Sequence, residues 1–291
     1  MRPPVRELPE LEVLRRDLDR ELSGKKLTSV TINTPAICAD PAAVAALDGA
    51  KVTTVSRTGM VLLIGFDGDR VLAIIPGPDA NLRHVTAKTP APKKVKGKVV
   101  EEPEVIPDGS LSLGLGSAGT IRLIEPKPQS KVIASTLETL AADVPQTVGL
   151  GPDPLEEPET WMSFAARFTS RRAPAKAVLT DPAFYAGVGD LYADEILFEA
   201  GLRPERKSNT LGAQELRRLS RAVVEVLQDA VKHRGTSLGD TPFADLTGKL
   251  GEHQTHLAVY GREGQRSPRS HHVVRKIKFE GRWAYFCETQ V

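Results

Sequence analysis

The chain is 291 residues long, 40% hydrophobic and 26% charged, enough for two ordinary domains with their own cores. It contains no run of eighteen apolar residues and is charged from Arg2 onward, so neither a membrane span nor an apolar leader is expected. Two distant cysteines, Cys38 and Cys287, argue for a reducing cytoplasm and against a disulfide framework, and the net charge is +2.

A helix is predicted over residues 8–23, where Leu11, Leu14, Leu18 and Leu22 recur at helical spacing, Pro9 suits the first turn and Gly24 closes it. Glu7 and Glu10, three apart at its start, put two carboxylates on one face. Strand patterns follow: Leu27, Val30 and Ile32 alternate, Val52–Val55 begins another run, and Met60–Phe66 returns through Asp67-Gly68 into Val71–Ile75. A short helix from Asp40 to Leu47 stops at Gly49. Residues 86–109, rich in Lys and Pro, read as a mobile loop. Strands resume at Leu111–Leu115 and Thr120–Glu125 before Pro126 and Pro128, giving a β-sandwich over roughly 1–148.

Gly149-Leu-Gly-Pro-Asp-Pro154 reads as an interdomain linker. Helices are expected at about 157–171, 174–180, 190–200 and 212–234, placing a helical domain at 149–258. Gly187-Val-Gly-Asp190 is a glycine turn running into an amphipathic helix that Gly201 stops. Asp190 is expected to cap that helix, and the turn to offer free N–H groups to a phosphate. Residues 201–291 carry 16 Lys/Arg against 10 Asp/Glu, and residues 1–200 carry 23 against 27, so the C-terminal part is the one that would meet a polyanion. Residues 259–291 read as a basic hairpin in which Arg262, Lys276 and Arg282 are interleaved with Tyr260, Trp283 and Tyr285, a pattern suited to gripping a sugar-phosphate backbone.

Glu7-Leu-Pro-Glu-Leu-Glu12, Leu150-Gly-Pro-Asp-Pro-Leu155, Gly187-Val-Gly-Asp-Leu-Tyr-Ala193 and Val259-Tyr-Gly-Arg262 fall in one order along the chain. Together they resemble the formamidopyrimidine-DNA glycosylase and endonuclease VIII family, over nearly the whole length. The resemblance implies an α+β protein of two domains. An N-terminal β-sandwich would be followed by a helix–two-turn–helix domain and a finger hairpin, with double-stranded, damaged DNA held in the cleft. It further implies Glu7 and Glu10 as catalytic carboxylates, Gly187, Gly189, Asp190, Tyr192, Arg262, Lys276 and Arg282 as DNA-binding positions, and a monomer working in the cytoplasm at the nucleoid. The family flips a damaged base out of the duplex and attacks the sugar with an N-terminal proline amine.

The sequence departs from that pattern at the chemistry. Arg6 stands at the proline position, preceded by five residues, so its nitrogen is a peptide amide. The expected hairpin lysine falls on Gly59. Pro78 and Lys127-Pro-Gln129 replace the residues that fill the hole left by a flipped base, and Asp190 replaces an asparagine that binds phosphate. Four zinc-binding cysteines become Ser267, Ser270, Cys287 and Gln290, so no metal and no cofactor is expected. His271 and His272, read as neighbours on a strand, would face opposite ways and make no substitute. Three readings follow: a DNA-binding protein without Schiff-base lyase chemistry, a monofunctional glycosylase in which Glu7 activates water, and a non-catalytic module for RNA or a protein partner. Helix–two-turn–helix units in ribosome-associated proteins keep the third open.

Overall fold

Helix α1 (Leu8–Leu22) forms where Pro9 and Glu10 open an apolar repeat, and it belongs to two cores at once. Its Leu14, Leu18 and Leu22 pack into the sandwich, while Leu8 packs among the aromatic residues of the helical domain. Each fully buried leucine contributes about 1.5–3 kcal/mol, so α1 fastens the two halves together. The computed structural model describes residues 6–86, 106–157, 159–239 and 242–291. Most of the segment read as a mobile loop, 87–105, lies outside the described residues.

After α1 come β1 (Ser29–Ile32), α2 (Pro41–Ala45), β2 (Val52–Thr58), β3 (Val61–Phe66), β4 (Arg70–Ile75), β5 (Asn81–Val85), β6 (Leu111–Gly114), β7 (Thr120–Ile124) and β8 (Lys131–Thr136). They make two four-stranded antiparallel sheets, ordered β1-β6-β7-β5 and β2-β3-β4-β8. Leu62, Ile64, Leu72 and Ile74 of one sheet face Leu82, Leu113, Ile121 and Leu123 of the other in a shared core. The expected β3–β4 hairpin is present, with Gly68 and Asp69 both at positive φ. Two strands carry too weak a pattern to be read from sequence: β5 has only Leu82 and Val85 as apolar residues, and β8 follows a proline run. Residues Pro41–Ala45 form the short helix, capped by the Asp40 side chain.

Helix α3 (Leu140–Asp143) packs on the sandwich after β8, and the helical half holds α4 (Trp161–Ser170), α5 (Ala175–Leu179), α6 (Asp190–Ala200) and α7 (Ala213–Lys232). Phe164, Phe168, Phe184 and Tyr192 fill its core with Leu197, Leu219 and Val223. The segment read as a linker is packed into the structure. Arg57, fully buried, bonds Glu12 of α1 and Asp153 of that segment, and a Cβ on Gly151 would lie 2.2 Å from the Phe184 carbonyl oxygen. The finger is narrower than expected: β9 (Val274–Phe279) and β10 (Arg282–Cys287) pair through Glu280-Gly281, both at positive φ as a tight hairpin turn requires. His271 and His272 precede β9 in a turn, and His271 is at positive φ, so the strand geometry assumed for them does not hold.

Candidate functional site

The start of α6 is where the Glu7–Glu12 and Gly187–Ala193 motifs meet, and three of its amides are taken. Glu7, just before α1, sends its carboxylate into the Gly187–Gly189 turn. Oε2 accepts from Gly189 N–H at 2.8 Å and Tyr192 N–H at 3.2 Å, and Oε1 accepts from Leu191 N–H at 2.9 Å. An anion belongs at a helix N-terminus, where unpaired N–H groups carry partial positive charge. Glycine is required for this approach, because a Cβ at Gly189 would lie 2.5 Å from the Glu7 carboxyl carbon. Gly187, at positive φ, gives its carbonyl to Leu8 N–H at 2.8 Å. The expectation that this turn presents free N–H groups to a phosphate is corrected at Gly189, whose N–H, with those of Leu191 and Tyr192, is taken by Glu7 of the same chain. Asp190 is not the cap either. Gly189 is, and Asp190 is the first residue inside the helix.

Glu10 lies beside it, fully enclosed. Oε1 accepts from the Tyr192 hydroxyl at 2.6 Å and Thr236 N–H at 2.7 Å, and Oε2 from Glu7 N–H at 3.1 Å. Tyr192 has no exposed surface, so this hydroxyl orients Glu10 and cannot touch DNA, against the sequence expectation. Burial and the neighbouring Glu10 push the Glu7 carboxyl up to about 8 against the pull of its three amides. Burial also raises Glu10, opposed by Tyr192 and the backbone donors. The pair therefore keeps a proton where an ordinary carboxyl has lost it. With three of about four lone-pair sites on Glu7 already filled, little of it is left to hold a water.

Arg6, at the proline position, points away from this pair. Its guanidinium donates to the carbonyls of Gly77 (3.1 Å) and Pro78 (3.3 Å) and to Asn81 Oδ1 (2.9 Å), and lies over the Phe243 ring at 5.8 Å. Only 8% of Arg6 is exposed, and burial lowers its pKa to about 10, still a cation at neutral pH. Gly59 forms the β2–β3 turn at positive φ, and any side chain there would begin 3.0 Å from Leu150 Cδ1. Gln129 N–H and Ser130 N–H both bond Glu125, which folds the second substituted loop onto itself.

Three acids on α6 organise the basic surface. Asp190 faces two cations, Lys176 at 3.3 Å and Arg282 at 3.7 Å. Asp194 bonds Lys176 at 2.8 Å and accepts Tyr285 N–H of β10 at 2.9 Å, and Lys176 donates on to the Trp283 carbonyl. Glu195 accepts the N–H groups of Ala258, Val259 and Tyr260 at 2.7–2.9 Å. Lys176, Asp194 and Glu195 were not singled out in the sequence; the i, i+4, i+5 acid spacing on α6 was the available signal. Arg262 spends its guanidinium on the Leu257 carbonyl and Gln265, so it braces the approach to the finger. Lys276 stacks over Trp283 at 4.1 Å, and Arg282 is half exposed.

The four positions that would hold the family's zinc do converge. Ser267 and Ser270 hydroxyls are 2.7 Å apart, Ser270 Oγ is 3.1 Å from Cys287 Sγ, and Gln290 Oε1 accepts Cys287 N–H at 2.6 Å. One thiol, two hydroxyls and an amide do not make the thiolate set that structural zinc takes, and here they bond one another.

A sandwich and a two-turn helical module, joined through a glutamate pair seated on a glycine turn, define the architecture of a base-excision DNA glycosylase. The formamidopyrimidine-DNA glycosylase N-terminal domain family matches residues 5–134, and the formamidopyrimidine-DNA glycosylase H2TH domain family matches residues 150–241. The curated formamidopyrimidine-DNA glycosylase of Moorella thermoacetica is 31% identical over 94% of both chains, and that of Laribacter hongkongensis 33% over 97% of both. The crystal structure of the MutM (Fpg) protein of Thermus thermophilus superposes with a TM-score of 0.80 at 32% identity, covering 98% of each chain. A Lactococcus lactis Fpg, solved with DNA containing an abasic site, shares the fold with a TM-score of 0.80 at 24% identity. The chain belongs to the formamidopyrimidine-DNA glycosylase family. Among the described residues no helix is long and apolar enough to cross a membrane.

Proposed function

We propose that this protein binds double-stranded, damaged DNA in the cleft between its two halves and does not carry out Schiff-base lyase chemistry. The observation that carries the reading is Arg6. A nucleophile at that place must be an amine that can become an iminium, and the Arg6 nitrogen is an amide whose lone pair is delocalised into the preceding carbonyl. The Arg6 side chain meanwhile lies between the 77–81 turn and Phe243. Gly59 and Asp190 favour the same conclusion, since one removes a lysine and the other sets a carboxylate among the cations expected to meet phosphate. We further propose that the finger holds its shape by hydrogen bonds with no zinc, and that the protein acts as a monomer in the cytoplasm, at the nucleoid.

A second reading retains base removal. It is favoured by the Glu7 carboxyl, which keeps its proton up to about pH 8 and so could protonate a leaving base near neutrality. Release of free base from lesion-bearing duplex, abolished in Glu7→Gln, supports this second reading; its absence supports the first. DNA binding itself is tested by titrating salt against affinity for intact, abasic and mismatched duplexes. Phosphate contacts give a log–log slope of several units. A flat slope, or tighter binding of RNA than of duplex, contradicts the DNA assignment and favours an RNA or protein partner for the two-turn module.

A further inference from the structure

Away from the glutamate pair, the C-terminal end of α7 carries Asp229 and His233, spaced i and i+4 on one face. The single turn of 3-10 helix His253–Thr255 brings His253 and His256 against them. His233 Nδ1 lies 3.3 Å from Asp229 Oδ1, and His253 Nε2 and His256 Nδ1 lie 3.7 and 3.8 Å from Asp229 Oδ2. The His233 and His256 rings are 3.8 Å apart at their centroids. One donor atom from each of Asp229, His233 and His256 falls within 4.8 Å of the others. A cleft of about 350 Å³ opens beside them, with Glu199 and Glu225 also on its wall.

We propose that Asp229, His233 and His256 bind a first-row divalent cation, zinc(II) foremost, with the remaining coordination position open to the cleft. Two imidazoles and a carboxylate are a donor set that zinc takes readily. Asp229 and His233 stand four residues apart at the end of α7 and His256 comes from the neighbouring turn, so the three donors converge from two elements. Donors about 2.0–2.1 Å from a tetrahedral ion stand about 3.4 Å apart, so closure needs roughly 1 Å of side-chain movement. His256 and Asp229, each more than two-fifths exposed, can supply it. His253 is the buried member: Thr236 Oγ1 holds its Nδ1 at 3.0 Å, which leaves Nε2 on the side of Asp229, 3.7 Å from Oδ2. The absence of metal ligands in the finger has no bearing on this cluster, which shares no residue with it.

The chain, stripped with chelator, is titrated with zinc chloride by isothermal calorimetry near neutral pH. The expected result is one ion per chain, with affinity falling at least about tenfold in both His256→Ala and Asp229→Asn and unchanged in His272→Ala. Thermal unfolding of each variant without zinc confirms that it is folded. No heat of binding in the intact chain overturns the proposal, as does equal affinity in intact chain, His256→Ala and Asp229→Asn. Loss of binding in His272→Ala instead places the ion elsewhere and overturns it equally.

Discussion

The glutamate pair and the finger both depend on α6, yet they have fared differently. At the start of α6 the geometry is complete: Glu7 and Glu10 between them accept six hydrogen bonds, and Gly189 leaves room for the carboxylate. In the finger Ser267, Ser270, Cys287 and Gln290 bond one another, and Asp194 and Glu195 hold β10 and residues 258–260 by their backbone N–H groups. The difference teaches which parts are scaffold. Carboxylates bonded to main-chain amides hold the fold whatever chemistry the site performs.

The comparison can be broken most severely at the finger. Glu195→Ala strands three N–H groups in a buried site, at about 1–3 kcal/mol each, so a loss of about 3 kcal/mol or more is expected in urea unfolding. A loss below about 1 kcal/mol would show that the clamp is dispensable. Gly189→Ala attacks the other region. Overpacking costs about 1–3 kcal/mol, and the displaced carboxylate adds the loss of its amide bonds, so a smaller but still severe destabilisation is expected by the same measurement. Glu7→Ala combined with Gly189→Ala should recover part of it by removing the collision.

A pH series sharpens the contrast, because the Glu7 carboxyl, pushed up to about 8, keeps its proton to higher pH than Asp194 of the finger clamp, pushed up to about 7. The Glu7 carboxyl stands at about 8 in the folded protein and at its ordinary 4.5 once unfolded. Between those values the unfolded chain has released a proton that the folded chain keeps. Its stabilising contribution is therefore complete below about 4.5 and declines as pH rises toward 8, with a slope of up to about 1.4 kcal/mol per unit. Glu7→Gln should flatten the decline, and an unchanged slope would assign it to other groups. The smallest effect concerns the basic surface. Asp190→Asn removes the carboxylate facing Lys176 and Arg282, so duplex binding should tighten and its salt slope steepen by about one. No change in slope would mean that this cluster does not meet phosphate.

Much of this was legible in the sequence, and the failures have physical causes. Leucine periodicity placed α1, and glycine punctuation placed α6 and α7 within a few residues. Strand β5 escaped because its exposed face breaks the apolar pattern, and β8 because prolines precede it. Glu7 and Glu10 were found by spacing, but not what they bond to, since that depends on contacts 182 residues or more away. Lys176 was missed for the same reason: nothing local distinguishes a lysine buried against Asp194 from a solvated one. Tyr192 was assigned to DNA because its motif sits at a glycine turn, whereas helical phase turns it into the core.

The central claim concerns the nitrogen of Arg6, and borohydride trapping on abasic duplex tests it most directly. Under conditions where the protein is bound to that duplex, no covalent protein–DNA adduct should survive denaturing electrophoresis. A trapped adduct that forms with this chain would contradict the account, because it requires an amine where the sequence has the Val5–Arg6 amide.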